Sequence, residues 1–515
     1  MRRALSLAGL GLLGLGLCVL LASCSRDQDA GRRYRAEREL WQADFQQREL
    51  SVRPRDVKKE QWLALANRYE GIADRHGKGL GAASSNSRSR QGLQAVAARA
   101  LFSAAQLYGA NGDSTRVDQI FGRMAGEFSG LPAVAAEVAL AKGRITESRG
   151  QFGQAADLYQ SVVDRVQPDP ESAGVAGAVV DLPLLIARLR TRAAGSTPAA
   201  GGRSYFDEAR GWYERVVRDN AGSRIQFTAQ GHLADIAVDL GDWPRALSAL
   251  QALEDQLKAI PSPPRDPADV RMAQAGIQAR AAKNPEQAQA TLNSVLEDYP
   301  TSPAVPQALH ELALNAYGRN QVGEALGYLD RLTTDYKSSP TAAAQGLLTR
   351  ARILESRDRW GEALDAYRSV PAQYPLTEQA LRAPLEIAAH YDRVKDQAAT
   401  ATALEKAARD YRDFVTKYPP GQQTSFARQQ LAKTLALQKK YDEAITEMVS
   451  LGQDLAPARI SVALLTGAAS MAYRELADSL KAADILERMG KTYEGSPVGQ
   501  WASTEAARLR GTKPQ

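Results

Sequence analysis

Cysteine is nearly missing from this chain: two in 515 residues, Cys18 and Cys24, both close to the N-terminus. Histidine is almost as scarce. His76, His232, His310 and His390 each stand without a second histidine or cysteine at ligand spacing, so no metal site and no imidazole acid–base pair is expected. Excess charge of one sign is also lacking, because 65 Lys and Arg against 59 Asp and Glu leave a formal net charge of only +6. Spread over so long a chain, that gives no basis for nucleic-acid binding. No Gly-x-Ser-x-Gly elbow occurs. A phosphate-loop lookalike at residues 71–79 fails twice, with His76 before Gly77-Lys78 and Gly79 where Ser or Thr is needed. Neither a catalytic residue nor a cofactor is therefore expected. With 44% hydrophobic and 24% charged residues the composition is that of a folded, water-facing body, which favours neither wholesale disorder nor a polytopic membrane protein.

The N-terminus departs from that composition. Met1-Arg2-Arg3 supplies positive charge and residues 4–21 form an uncharged apolar stretch, the pattern of an export signal. Its end, Leu21-Ala22-Ser23-Cys24, resembles the lipobox of bacterial lipoproteins at all four positions. The resemblance implies that the small residues admit a signal peptidase and that the Cys24 thiolate takes a diacylglyceryl group. Cys24 then becomes the first residue of the mature chain. The signal 1–23 would carry Cys18 away and acylation would consume Cys24, leaving no disulfide. More than one acyl chain makes such an anchor durable. The alternative is an uncleaved anchor, since the apolar run nearly suffices to span a bilayer. Gly9-Leu10-Gly11-Leu12-Leu13-Gly14 matches a dinucleotide fingerprint in letters only, lying inside the signal with no strand before it. Loss of Arg2 and Arg3 lowers the net charge to +4. Basic clusters at Arg32-Arg33, Arg53, Arg55 and Lys58-Lys59 then either face anionic head groups or form a solvated helix face.

Internal repetition organises the rest. Trp360-Gly361-Glu362-Ala363-Leu364-Asp365-Ala366-Tyr367 resembles the start of the second helix of a tetratricopeptide repeat. Ala155, Ala246, Ala288, Ala325, Ala363 and Ala444 hold the small position of that helix. Twelve residues earlier stand Gly143, Ala234, Gly276, Ala313, Ala351 and Ala432. Two helices approach closely only where both carry small side chains, so each pair marks a hairpin. Four residues after each alanine come Tyr159, Leu250, Leu292, Leu329, Tyr367 and Met448, on the same helix face. A lone hairpin cannot bury that face, whereas stacked hairpins share it. Several second helices end in tyrosine followed by Pro or Ser, at Tyr299, Tyr336, Tyr374, Tyr418 and Tyr493. Proline there stops one helix and suits the first turn of the next. Glu324, Glu362 and Glu443 recur at one repeat position, which marks helix architecture and not catalysis.

Extending the frame predicts an all-α, tetratricopeptide-type solenoid, a right-handed superhelix of about eleven antiparallel hairpins with a capping helix near residues 498–509. The domain reading is a signal at 1–23, a lipidated linker at 24–32, the solenoid at 33–510 and a disordered tail at 511–515. Loop insertions are expected near 77–92, 195–203 and 260–267, where Gly, Ser and Pro concentrate.

Lipobox and repeats together make the chain similar to envelope-assembly lipoproteins, namely the BamD-type component of outer-membrane barrel assembly and the scaffold lipoproteins of exopolysaccharide secretion. The resemblance implies a periplasmic scaffold without enzymatic activity, holding one or more envelope proteins in the concave groove lined by the first helices. Ser25 after the cysteine implies the inner leaflet of the outer membrane by the enterobacterial sorting rule. BamD-type proteins have about half as many hairpins, and no regular Lys and Asn pattern marks a carboxylate clamp, so the partner stays open. The competing reading is a peptidoglycan-acting enzyme or accessory subunit built on an α-superhelix. The repeats leave no lysozyme-like domain for it.

Overall fold

A computed structural model of the chain describes residues 28–52, 58–77, 88–111, 113–128, 132–169, 175–456, 458–494 and 496–511. The lipobox Leu21, Ala22, Ser23 and Cys24 lies outside the described residues, as do most of the 77–92 loop and residues 512–515. Two compact units divide the chain, Met1–Ala249 and Leu250–Gln515. Among the described residues both are built from helices without a strand.

The first unit contains α1 (Gln28–Val52), α2 (Lys59–Gly77), α3 (Arg88–Ala110), α4 (Ser114–Glu127), α5 (Pro132–Ser148) and α6 (Phe152–Val163). It continues with α7 (Val175–Ala178), a 3-10 turn (Val179–Asp181), α8 (Leu182–Ala193), α9 (Arg203–Asp219) and α10 (Arg224–Asp239). The unit boundary falls within α11 (Trp243–Lys258). In the second unit follow α12 (Pro267–Arg280), α13 (Pro285–Asp298), α14 (Val305–Gly318), α15 (Val322–Asp335), α16 (Pro340–Glu355) and α17 (Trp360–Gln373). Then come α18 (Glu378–Arg393), α19 (Gln397–Lys417), α20 (Gln422–Leu437), α21 (Tyr441–Asp454), α22 (Arg459–Glu475), α23 (Ser479–Thr492) and the closing α24 (Pro497–Leu509).

Two kinds of helix end alternate, and each has its own chemistry. Inside a hairpin the first helix stops at a left-handed residue, as at Gly150, Gly241, Asn320, Asp358 and Lys439. The next amide bonds back into the finished helix: Gln321 N–H to the Ala316 carbonyl at 2.8 Å, and Lys440 N–H to that of Leu435 at 2.9 Å. Between hairpins the second helix ends on tyrosine as its C-cap, at Tyr299, Tyr336, Tyr374, Tyr418 and Tyr493. A Ser or Thr then caps the next helix: Thr377 accepts from the Ala380 N–H and Ser496 from that of Gly499. Pro340 and Pro497 enter their first turns, where a missing N–H leaves nothing unbonded.

Lys439 holds φ at +59° and is exposed. Its Cβ crowds the following carbonyl there, a strain glycine escapes. Lys439→Gly is expected to raise stability by about 0.5–1 kcal/mol, the relief being partly offset by the freer unfolded chain. The midpoint of urea unfolding checks it.

The second-helix alanines Ala155, Ala246, Ala288, Ala325, Ala363 and Ala444 are fully buried. On the first helices Gly143, Ala234, Ala313, Ala351 and Ala432 are buried too. At Gly143 a Cβ would stand 2.5 Å from the Tyr159 ring, so that ring leaves room for no side chain. On α12 the buried small residue is Ala275 and not Gly276, which is half-buried. The cause is local. In the α12–α13 turn the Asn284 amide reaches six residues back, to Gln278, where the corresponding turns reach five. One extra residue moves the small position from twelve to thirteen before Ala288. The α22–α23 turn is built alike, with Asp478 N–H bonding to the Ala472 carbonyl, and there Ala469 and Ala482 are the buried pair thirteen apart.

Candidate functional site

In the second unit the first helices of successive hairpins touch, α14 on α16, α16 on α18 and α18 on α20, whereas the second helices α15, α17, α19 and α21 pack chiefly on first helices. The touching helices present a continuous face, and its side chains form a polar ladder. His310 of α14 bonds through Nε2 to Thr349 Oγ1 of α16 at 3.0 Å. Gln345 Nε2 donates to the same hydroxyl at 3.1 Å. Gln379 Nε2 of α18 donates to Gln345 Oε1 at 3.0 Å, and Arg352 pairs with Glu386 beside them. Burial holds the His310 imidazole below its ordinary pKa, so it is neutral at pH 7. Thr349 is buried and spends its hydroxyl on these bonds, whereas Gln345 and Gln379 are only half-buried. An amide has more donor and acceptor capacity than one bond uses, which suits the alternating N–H and C=O of an extended peptide. It holds no activated nucleophile.

One end of the ladder is braced by Glu355, which accepts from Tyr367 Oη at 2.8 Å, bonds His390 Nδ1 at 2.7 Å and pairs with Arg393. The His390 ring lies flat on Trp360, centroids 3.4 Å apart at 4°. Tyrosine donating to a carboxylate beside a cation recurs along the chain: Tyr108 to Glu70 with Arg116, and Tyr299 to Glu254 with Arg271 and Lys258. These nodes fix helices to one another. Two of the four histidines, His310 and His390, thus join the face; among the described residues no group of three or more His, Cys, Asp or Glu is placed to hold a metal ion.

The ladder residues Gln345, Thr349 and Gln379 escape a motif search because amides and hydroxyls carry no signature spacing within one helix. No repeat position links them either: His310 and Gln345 stand three and six residues before the small residues Ala313 and Ala351, and Gln379 is the second residue of its helix.

In the first unit His232 Nε2 lies 3.0 Å from Asp181 and Nδ1 3.3 Å from Asp235, with its ring against Tyr213. Burial alone would lower its pKa, but the two carboxylates outweigh burial and raise it to about 9. A pKa raised on folding stabilises fully below the unfolded value of about 6.5 and is lost as pH climbs through about 9. Both carboxylates are more than half exposed. The expected loss between pH 6.5 and 9.5 is therefore about 1–2 kcal/mol. Denaturation midpoints across that window are expected to fall, and His232→Gln to flatten the fall.

Residues 232–303 and 310–376 match the family model described as tetratricopeptide repeat. Those two stretches thus match tetratricopeptide repeats, a class of helical-hairpin module. No curated protein matches the sequence. Among solved structures it is similar to a tetratricopeptide repeat protein from Parabacteroides merdae, with 14% identity over 54% of this chain and 98% of that one and a TM-score of 0.29. It is likewise similar to yeast Tom70, with 13% identity over 91% and 88% and a TM-score of 0.33. The quorum sensor NprR from B. thuringiensis matches with 11% identity over 72% and 97% and a TM-score of 0.31. At such values the superpositions carry nothing about binding.

Proposed function

We propose that this chain is a lipid-anchored scaffold of the bacterial envelope that holds a protein partner against its first-helix face, anchored through Cys24 at the inner leaflet of the outer membrane and facing the periplasm. The observation that carries the binding part is the ladder of His310, Thr349, Gln345 and Gln379, a peptide-like pattern of donors and acceptors on adjoining helices. Membrane attachment draws support from α1. Tyr34, Trp41 and Phe45 stand 68%, 60% and 46% exposed on one side of that helix, with Arg38 and Arg48 exposed beside them. Aromatic rings mixed with arginine suit a lipid interface, and Tyr34 follows the lipobox cysteine by ten residues.

Affinity capture from envelope after reversible crosslinking tests the scaffold. The expected result is one or more envelope proteins recovered by the native chain and depleted by Gln345→Glu with Gln379→Glu. Recovery of none above background, or equal recovery by the variant, would sink the reading. Incorporation of labelled palmitate, lost in Cys24→Ser, tests the anchor separately; an unlabelled native chain would remove it.

A further inference from the structure

A cavity of about 710 Å³ opens between the second helices α17 and α19, floored by the first helix α18. It faces away from the ladder's contacts with α14 and α16, because second helices and not first helices form its sides. Its walls are apolar, with Pro371 of α17, Pro384 and Ile387 of α18, and Ala403 and Ala407 of α19. Its rim is cationic on balance, with three cations against the one carboxylate of Asp410. Arg368 stands on α17, and Lys406 and Arg409 on α19. Lys406 is paired with Asp410 at 2.6 Å, while Arg368 and Arg409 form no ion pair among the described residues and are exposed.

Two features set this cavity apart from an ordinary gap between hairpins. Pro371 and Pro384 both lie inside helices, where proline is strongly disfavoured, and both stand in the wall of this one cavity. Neither can donate to the carbonyl four residues before it, at Tyr367 and Ala380, so α17 and α18 each give up a helical hydrogen bond beside the same space. The volume lies within the range of small-molecule sites, and such sites combine apolar walls with a few placed charges.

We propose that this cavity binds an amphipathic anion: an apolar body seated against Pro371, Pro384 and Ile387, with a carboxylate or equivalent acidic group between Arg368 and Arg409. Two cations free of carboxylate partners favour an anionic head over a neutral or cationic one. The site is independent of whatever the first-helix face holds.

Anilinonaphthalenesulfonate, an aromatic anion whose fluorescence rises on leaving water, is the direct probe. Titrated into the full chain, it is expected to give a saturable signal displaced by dodecanoate and not by dodecyltrimethylammonium. Thr402→Trp, which places a ring in the cavity from an exposed position, and Arg368→Glu with Arg409→Glu are each expected to weaken the signal at least tenfold. Far-ultraviolet circular dichroism and the unfolding midpoint confirm that both variants fold. Gln345→Glu, on the other face, is expected to leave the titration unchanged. A peptide with one tryptophan between glutamates forms the second arm: displacement at lower concentration by the peptide assigns the anion to a protein segment, and by dodecanoate to a lipid-like molecule. A signal that survives Thr402→Trp, equal displacement by the cationic detergent, or displacement by neither anion would overturn the proposal.

Discussion

Glu254→Ala is expected to lower the stability of the second unit by about 3–5 kcal/mol, the range seen when one partner of a buried ion pair is removed. Glu254 is wholly buried, and its Oε1 collects Lys258 Nζ at 2.7 Å, Tyr299 Oη at 2.7 Å and the Arg271 guanidinium. Arg271 is itself buried and reaches on to Ser294 and Asp298. Without the carboxylate, Arg271 keeps Asp298 but loses the partner at its buried end, while Lys258 can turn to solvent. The measurement is guanidinium unfolding with hydrogen exchange, and protection is expected to fall first in α12 and α13. A double substitution, Glu254→Met with Arg271→Met, is expected to recover much of the loss by replacing a desolvated pair with apolar packing. If the single and double variants were equally unstable, the ion pair would not be what matters there. Burial pushes the Glu254 carboxyl up, but its donors Lys258, Tyr299 and Arg271 prevail and hold it below the usual carboxylate range. A depressed pKa stabilises above the unfolded value of about 4.3, and the contribution is lost as pH falls through the folded value. Acid unfolding of Glu254→Ala is thus expected to be shallower than that of the native chain.

Tyr213→Ala in the first unit is expected to cost about 3–5 kcal/mol, as for other fully buried aromatics. Tyr213 is fully buried and packs edge-on against Trp212. Its hydroxyl donates to the Val180 carbonyl at 2.9 Å and accepts from the Leu184 N–H at 3.2 Å. It thereby clasps the point where the 3-10 turn passes into α8, whose backbone groups have no longer helix before them to bond with. Tyr213→Phe separates the two contributions. It keeps the ring but strands a buried carbonyl and amide, for an expected loss of about 1–3 kcal/mol. Urea unfolding of both variants checks the pair, and a Phe variant of native stability would mean that the hydroxyl bonds contribute nothing.

Much of this fold was legible because repeat proteins write their packing into local spacing. The tyrosine C-caps, the Ser, Thr and Pro that follow them, and alanines such as Ala325 and Ala363 all answer to contacts within one hairpin. Gly276 shows where such counting stops. A turn one residue longer is invisible to a fixed offset, and either Ala275 or Gly276 satisfies a demand for smallness. The Glu254 node was not legible at all, since Arg271 and Tyr299 lie 17 and 45 positions away with no periodicity linking them. Charged residues read as solvated until geometry buries them. The same holds for the α17–α19 cavity, since no local spacing tells that Pro371 and Pro384 lie inside helices. Cys24 rests on sequence alone.

The side-chain bonds that join helices also say something about how the chain reaches its fold. Arg99 to Asp44 spans 55 positions, and the nodes at Glu70, Glu254 and Glu355 close over fewer. Contacts so near in sequence keep contact order low, and loop closure then takes little entropy at each step. A hairpin can settle once its neighbour has been made, without waiting for a distant segment. Stepwise settling of this kind limits the time that apolar helix faces stay uncovered while the chain folds.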